Sequence, residues 1–502
     1  MSERPSQVWS RLDARKTGLM TRVERYAALT IPKVCLPIGF DIESMPQSHD
    51  YQSLGAQAVN HVVNKLMIAM FAPSRPFFKV QEGSKIKKQA AEAGITDVQL
   101  GAILAKMERD SVKALDGKGQ RPKLYQVNRH LVVTGNCLLV TDKERLRVMG
   151  LRYYCVKRTA EGDLHTLIIR EQLRFDELDP KIREQFSALY TSDTLVYHYK
   201  LIERTDTGYK MQQAINEQRL PAEWDAKWTK DKMPYHALTW DLADEANYGT
   251  GLVEDYAGDF EALSVLSEAV TTGAVVGTEF RWIANPNGVT SVDDMARSVN
   301  GDVVAGSAKD VGTIAPPVAE GVKTAQIVQQ DYVQRISRGF LMGSAVTRQA
   351  ERVTAEEVRL TAMELEASFG GVYSALAPSM QTPLARWLLD TAGTSIAGTD
   401  LDIAIITGLD ALSRNGDLEN LRLALGDLAQ MANAPLQVLD RIKWQELATF
   451  IGTGRGVELG KFLMSDQEFS QVQQAQRAQQ QAQEVNTAGG VAQAEAAAQP
   501  AQ

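Results

Sequence analysis

The stretch that most constrains this chain runs from Gly339 to Pro378. At its centre, Arg352-Val353-Thr354-Ala355-Glu356-Glu357-Val358 sets Thr354 and Glu357 at the spacing of a capping box, with Val353 and Val358 as a hydrophobic staple. Glu356 and Glu357 place carboxylates in the first turn, where the helix dipole favours them. A helix is therefore predicted to begin here. Val358, Ala362, Leu365, Phe369, Val372 and Leu376 then recur in steps of four and three, which keeps one face apolar. Gly370-Gly371 interrupts the run and predicts a kink. Ending at the residue before Pro378, the rod would span about 35 Å, enough to cross a domain.

Charge changes sign across the start of this rod. Lys323, Arg335, Arg338, Arg348 and Arg352 face only Asp331 and Glu351 between Val322 and Arg352, a local +3 in a chain of net charge -8. Residues 354–369 carry Glu356, Glu357, Glu364 and Glu366 against Arg359, which is -3. A charge run by itself is most often a solvated helix face.

At 502 residues and 44% apolar composition the chain has material for roughly three or four domains with large cores. The net charge of -8 argues against a nucleic-acid clamp, whose affinity comes from Lys and Arg on phosphates; a protein that lets DNA slide past has the opposite need. Cys35, Cys137 and Cys155 lie far apart, with no disulfide framework and no zinc spacing, so buried thiols in a reducing compartment are expected. No apolar run reaches the roughly 18 to 20 residues of a membrane span, and Met1-Ser2-Glu3-Arg4 opens into polar sequence, so neither a span nor a signal peptide is expected.

In chain order, Ser6 can cap a helix through Val8, Leu12, Leu19, Val23 and Tyr26, ending before Pro32. Leu54, Val59, Val62, Leu66 and Met70 predict a second helix over residues 52–71, followed by an extended segment after Pro76. Thr96-Asp97-Val98-Gln99 reads as a capping box opening a third through Met107, and a short helix ends at Thr134. Strand-like runs follow at residues 136–141, 146–157, 164–175 and 194–204, with hairpin turns at Glu161-Gly162-Asp163 and Asp206-Thr207-Gly208. Period-2 alternation is weak, but the composition predicts a mostly antiparallel sheet flanked by helices, an α+β domain. Trp224, Trp228 and Trp240 could stack bases, yet core and rim packing is several times the better reading at this spacing.

A helix is predicted from about Val253 to Val276 through Tyr256, Phe260, Leu263, Leu266 and Val270. Glycines and prolines then break residues 277–321 into short pieces. The next helix, from Val322, shows Ala325, Val328, Tyr332, Ile336 and Phe340 on one face and Lys323, Gln326, Gln330, Gln334 and Ser337 on the other. That glutamine-rich face is either a solvated surface or the wall of an aqueous passage. Beyond the rod, residues 383–389, 418–431 and 442–450 read as helical and 400–406 as a short strand. Gly452, Gly454 and Gly456 fail the phosphate-loop pattern, Ser465 caps a Gln/Ala-rich helix, and residues 486–502 are expected to be disordered.

The six histidines show no metal-ligand spacing, and no nucleophile-elbow, dinucleotide or kinase motif appears. No catalytic residue, metal or cofactor is therefore expected.

Several stretches together carry a resemblance: Gly55-Ala56-Gln57-Ala58-Val59-Asn60 with Phe71-Ala72-Pro73 and Pro76-Phe77-Phe78; Tyr248-Gly249 before Glu254-Asp255-Tyr256; and Arg352-Val353-Thr354-Ala355-Glu356-Glu357 with Gly370-Gly371-Val372-Tyr373-Ser374. The chain resembles the head-to-tail connector, or portal, family of T7-like short-tailed bacteriophages from about residue 6 to residue 465. The resemblance implies a largely helical α+β portal fold assembling as a ring, by family habit a dodecamer. It implies a wing over 1–252, a first stem helix over 253–276, a clip over 277–321 and a second stem helix over 322–342. A channel loop over 343–352, a long kinked wing helix over 353–390, a crown over 391–485 and the tail complete it.

Its implied partners are double-stranded DNA in the channel, a terminase motor, and the major capsid, scaffolding, internal core and tail adaptor proteins, with no membrane. The implied location is the portal vertex of a virion assembled in host cytoplasm. By the same resemblance Arg348, Arg338, Lys323, Gln330 and Gln334 face DNA, while Thr354, Glu357, Gly370 and Gly371 cap and kink the rod. Two other classes stay open on the residues alone: a soluble helical scaffold or adaptor without a channel, and an enzyme with an unrecognised site.

Overall fold

The computed structural model describes residues 3–40, 43–45, 50–72, 76–95, 97–142, 145–279, 281–314, 318–343, 355–394, 396 and 399–406. Arg348, Arg352, Thr354, the Thr96 cap and every element expected after residue 406 lie outside the described residues. Met1–Glu82 and Met107–Ala411 make one compact unit; Gly83–Lys106 and Leu412–Gln502 make a second.

The chain opens on α1 (Pro5–Leu29). Ser6 lies inside its first turn rather than capping it, because Pro5 already presets the helical φ and the Gln7 side chain accepts from the Arg4 N–H at 3.3 Å. α2 (Leu54–Met70) follows, brought so close to α1 that a Cβ on Gly55 would stand 2.2 Å from the Leu29 carbonyl oxygen. The first glycine of the Gly55–Asn60 stretch is thus required by packing. Phe71, Phe77 and Phe78 stack edge to face at 5.1 Å and lead into β1 (Phe78–Glu82). α3 (Ser84–Glu92), absent from the sequence reading, belongs to the second unit, as does the first half of α4 (Asp97–Gly117). The three lysines of α3 and its single buried residue, Ala90, give too little apolar periodicity to announce it. α5 (Arg121–Thr134) ends on Gly135 in the left-handed region, φ 72.

The expected strands then split between two sheets. β2 (Asn136–Thr141) and β3 (Leu146–Met149) pair in one, whereas β4 (Tyr154–Arg158) starts another after a single 3-10 turn at Leu151–Tyr153. The run 146–157 is therefore two strands, separated at Gly150. β5 (Leu164–Arg174), α6 (Pro180–Phe186), β6 (Leu195–Thr205), β7 (Gly208–Ile215), β8 (Gln218–Arg219) and β9 (Ala226–Trp228) complete the larger sheet, all antiparallel in the order β4-β5-β6-β7-β8 with β9 also on β7. β10 (Tyr235–Thr239) returns to β2. Alternation is weak because the central strands are covered on both faces. Val8, Trp9 and Leu12 of α1 pack with Cys155, Ile168, Tyr199, Leu201 and Ala214, while Leu167, Ile169 and Ile202 on the reverse side are also fully buried.

The tryptophans serve packing. Trp240 is buried edge-on to Phe369, Trp228 meets Tyr235, and Trp224 covers the Phe175–Ile215–Leu220 cluster. After α7 (Leu252–Asp255) come α8 (Ala257–Thr278), β11 (Arg281–Ala284), α9 (Val292–Arg297), β12 (Val311–Ile314) and α10 (Ala319–Gly339). α11 (Ala355–Leu376) runs into a π turn at Ala377–Gln381 and then α12 (Thr382–Thr391). The helix does not stop before Pro378: the wider turn accommodates the residue that lacks an N–H. β13 (Leu401–Ile405) closes the described chain as the antiparallel partner of β1.

Candidate nucleic-acid interface

α8 and α10 form an antiparallel hairpin whose tip is residues 281–314. Phe340 stacks edge-on against Tyr256 at 5.3 Å and Phe260 at 5.5 Å at its foot. Above this, Arg335 pairs with Asp259 at 3.5 Å and Gln329 donates to the Ser267 hydroxyl at 2.9 Å. Higher still the helices touch through glycine: a Cβ on Gly273 would lie 2.7 Å from Val322 Cγ2, and one on Gly277 3.0 Å from Val318 Cγ2. Small residues on α8 let two apolar helices approach to backbone distance.

Lys323, Gln330, Gln334 and Arg338 are all exposed. With Gln326 and Ile327 they occupy the side of α10 turned away from α8, while Val322, Ala325, Gln329, Tyr332 and Ile336 are turned inward. Val328, expected in the buried stripe, is 39% exposed, and Gln329 takes its place by bonding Ser267. Among the described residues neither Lys323 nor Arg338 has an ion pair, whereas Arg335 is held by Asp259 and lies over the Tyr332 ring at 4.4 Å. The cationic surplus counted in the sequence is thus partly internal.

The end of α10 is pinned. Leu341 takes a positive φ of 57, and its carbonyl accepts from Lys65 Nζ at 3.0 Å and His61 Nε2 at 2.9 Å, both on α2. Lys65 also pairs with Glu364 of α11 at 2.7 Å. One buried ammonium therefore ties the exit of α10, α2 and the rod together. Burial, then the Lys65 charge, pushes the His61 imidazole below its usual range, so it donates as the neutral ring. Farther along, Gly370 sits at φ 41 and ψ -114 inside α11, a non-helical step, with Gly371 next to it. Glu357 lies in the first turn of α11.

Elsewhere in this unit titratable side chains gather in two cavities. A cavity of about 620 Å³ holds Asp13, Lys16, Cys35, His130, Arg152 and Arg170; one of about 480 Å³ holds Arg147, Glu171, Lys200 and Tyr235. Neither joins a nucleophile to a base. Cys35 and Cys155 are thiols pushed up by burial, Cys155 to about 11, and Lys16 is spent on the Leu151 and Tyr154 carbonyls. Burial opposes the charge on Glu171, but Lys200 and Arg147 outweigh it and hold the carboxyl at about 2. Among the described residues no group of His, Cys, Asp and Glu could hold a metal.

The sequence reading missed what Tyr248-Gly249 does. Tyr248 accepts from the Val156 N–H at 3.0 Å, and Asn136 brackets Gly249, donating to its carbonyl at 2.7 Å and accepting from its N–H at 2.9 Å. This clamp fixes the entry to the hairpin against the sheets, and only the dipeptide itself announced it.

The chain is thus a mixed helix-and-sheet fold that presents an exposed two-helix hairpin. The chain belongs to the bacteriophage head to tail connecting proteins, whose family model matches residues 3–463. It is 31% identical to the portal protein of Enterobacteria phage SP6 over 97% of this chain and 95% of that protein. It is 30% identical to the portal protein of Pseudomonas phage phiKMV over 95% of each, and 28% identical to that of Escherichia phage T7 over 98% and 93%. Among solved structures, a chain in the neck of an empty gene transfer agent particle aligns at 11% identity and TM-score 0.38, over 73% of this chain and 84% of that one, too distant to carry an argument.

Proposed function

We propose that copies of this chain close into a ring at one vertex of a phage head, around a channel for double-stranded DNA. A separate terminase motor drives the genome through it into a scaffolded procapsid, and the same passage releases DNA on infection. Capsid and internal core proteins contact the head side, and tail adaptors dock on the tip. The observation that supports this reading best is the α8–α10 hairpin: two long helices and a tip that leave apolar side chains exposed, in a chain of this family. In the ring, 1–252 and the rod are wing, α8 and α10 stem, residues 277–321 clip, residues 343–352 the channel loop, and residues 391–485 the crown.

Symmetry multiplies each side chain into a ring of side chains. Gln330 and Gln334 then make an uncharged wall, and Arg348 and Arg338 narrow bands of positive charge. Few cations suit a passage, since each neutralised phosphate adds affinity and resists sliding. Pinning of Leu341 by Lys65 and His61 gives the channel loop a fixed root. The passage performs no chemistry in this reading.

Electron micrographs of the purified full-length protein test it: closed rings with a central opening are expected, and compact particles without one would overturn it. In assembled particles, Arg348→Glu should impair packaging or genome retention; if both are unchanged, the loop does not face DNA.

A further inference from the structure

We propose that the cavity of about 620 Å³ beside α1 is a docking site for an acidic segment of another protein chain. Carboxylates of that segment meet Arg170 and Lys33, and an aromatic or leucine side chain enters among Phe40, Tyr153 and Tyr197. The site shares no residue with the hairpin or the channel loop.

The cavity opens where α1 stops covering the larger sheet. Residues 168, 170 and 172 of β5 share one face with residues 197, 199 and 201 of β6, since 170 pairs with 199 and 172 with 197. α1 lays Val8, Trp9 and Leu12 on Ile168, Tyr199 and Leu201 of that face. Farther along it, Gln172 and Tyr197 line the cavity with Arg170, and the turns at Pro32–Val34 and Leu151–Tyr153 wall the sides. Pockets of about 300 to 1,000 Å³ hold small organic ligands, so this one has room for one or two side chains with their backbone.

Four cations border it, Lys16, Lys33, Arg152 and Arg170, against one carboxylate, Asp13. Two of them are already engaged. Lys16 lies 3.1 Å from Asp13 and donates to the Leu151 and Tyr154 carbonyls, and Arg152 donates to Glu24 at 2.6 Å and to the Leu36 carbonyl. Among the described residues Lys33 and Arg170 have no ion pair. Lys33 is exposed, and Arg170 is held by rings, 4.4 Å from the Trp9 centroid and 5.0 Å from that of Tyr197, with Tyr199 taking one donor. A guanidinium fixed against aromatic rings keeps its remaining donors ready for a carboxylate, which it binds through two parallel bonds. His130 adds a buried Nδ1 with no hydrogen-bond partner. The charge left over is a local demand for an anion, in a chain of net charge -8.

The rim selects among anions. Ile38 is 84% exposed, Tyr153 51% and Tyr197 38%, so the uncommitted cations stand within apolar surface. Inorganic phosphate leaves that surface uncovered, and a nucleic-acid backbone, held phosphate by phosphate, needs a run of cations where only Lys33 and Arg170 are uncommitted. A peptide satisfies both parts, with carboxylates on the cations and an apolar side chain on the rings.

Fluorescence anisotropy on the full-length protein tests the site, with the labelled peptide Asp-Glu-Phe-Asp-Glu-Leu as probe. Saturable binding below about 1 mM is expected, weakened about tenfold or more by Lys33→Glu and by Arg170→Gln. Lys227→Glu, which reverses an exposed cation on β9, should leave it unchanged. The amide peptide Asn-Gln-Phe-Asn-Gln-Leu and the truncated Asp-Glu-Ala-Asp-Glu-Ala should each bind about tenfold more weakly. Lys33 is exposed, so its variant carries the test if Arg170→Gln fails to fold. No saturable binding, or an equal loss from Lys227→Glu, overturns the site. Displacement by sodium phosphate as effective as by unlabelled peptide would reduce it to an anion site, and stronger competition by oligo(dT) would make it a nucleic-acid contact; either result overturns the proposal. Electron micrographs of the same protein read the ring separately: closed rings that bind no peptide leave the ring reading intact, and peptide binding without rings leaves the site intact.

Discussion

In the sheets, Leu167, Ile168, Ile169, Val196 and Ile202 are completely buried, while in the hairpin and its tip Val265, Val275, Trp282, Ile327 and Val303 are each more than half exposed, Val303 fully. The same residue types thus stand in opposite surroundings within one compact unit. The sheets finish their core inside the chain, with α1 laid over one face. Beyond its foot, where Arg25 of α1 pairs with Glu261, the hairpin buries its seam, where Gly273 and Gly277 let the helices meet, and exposes Val265, Val275 and Ile327 on its outer edges. The first region encloses its own apolar side chains; the second leaves them exposed, as surfaces that meet other molecules commonly do.

Mutation should expose this contrast, most strongly at glycine. Gly135 has φ 72, and a Cβ there would lie 2.4 Å from the Thr250 carbonyl carbon, so Gly135→Ala should cost more than about 3 kcal/mol and leave little soluble protein. Gly321 on α10 has open space around its Cβ position, and Gly321→Ala should be neutral or stabilising by up to about 1 kcal/mol. Thermal unfolding of both variants breaks the comparison if they behave alike.

Core truncation comes next. Ile168→Ala should destabilise by about 2 to 5 kcal/mol in urea titrations, since the site is fully enclosed. Lys65→Met should cost about 2 kcal/mol, because it strips Glu364 of its ion pair and the Leu341 carbonyl of a donor. Its second expected effect, faster amide exchange just after α10, would show that the loop root depends on this lysine.

Titration separates the regions again. Burial first, then Lys200, presses His198 to about 4 against its bond to Gln213, and burial does the same to His236. An unfolded imidazole binds its proton near 6.5, so as pH falls from there toward 4 each buried histidine withdraws stability, by about 1.4 kcal/mol per pH unit. Glu171 acts lower: its contribution is complete above about 4.5 and is lost as pH falls toward 2. Residues 257–343 contain no histidine. Hydrogen exchange at pH about 7 and about 5 should therefore show loosening in the sheets and not within the hairpin seam. His198→Gln should flatten the response.

The smallest effect belongs to the exposed edge. Ile327→Ala should change the unfolding of the chain by less than about 0.5 kcal/mol, far less than the same truncation at Ile168, in the same urea titrations.

The sequence by itself determined the elements whose causes are local. Apolar periodicity gave α1, α2, α8, α10 and the rod to within a few residues; turn residues gave the β4–β5 and β6–β7 hairpins; and isolated cysteines gave free buried thiols. Only the tertiary structure decided which neighbour each element would meet. The break at Gly150 sends two adjacent strands to different sheets, β13 returns to β1 across more than three hundred residues, and Val328 loses its place on the buried face to Gln329 because Ser267 waits opposite. The reason is range: a cap, a turn or a helical stripe is settled within a few residues of itself, whereas a packing partner is settled by whichever distant surface offers the matching shape, donor or charge.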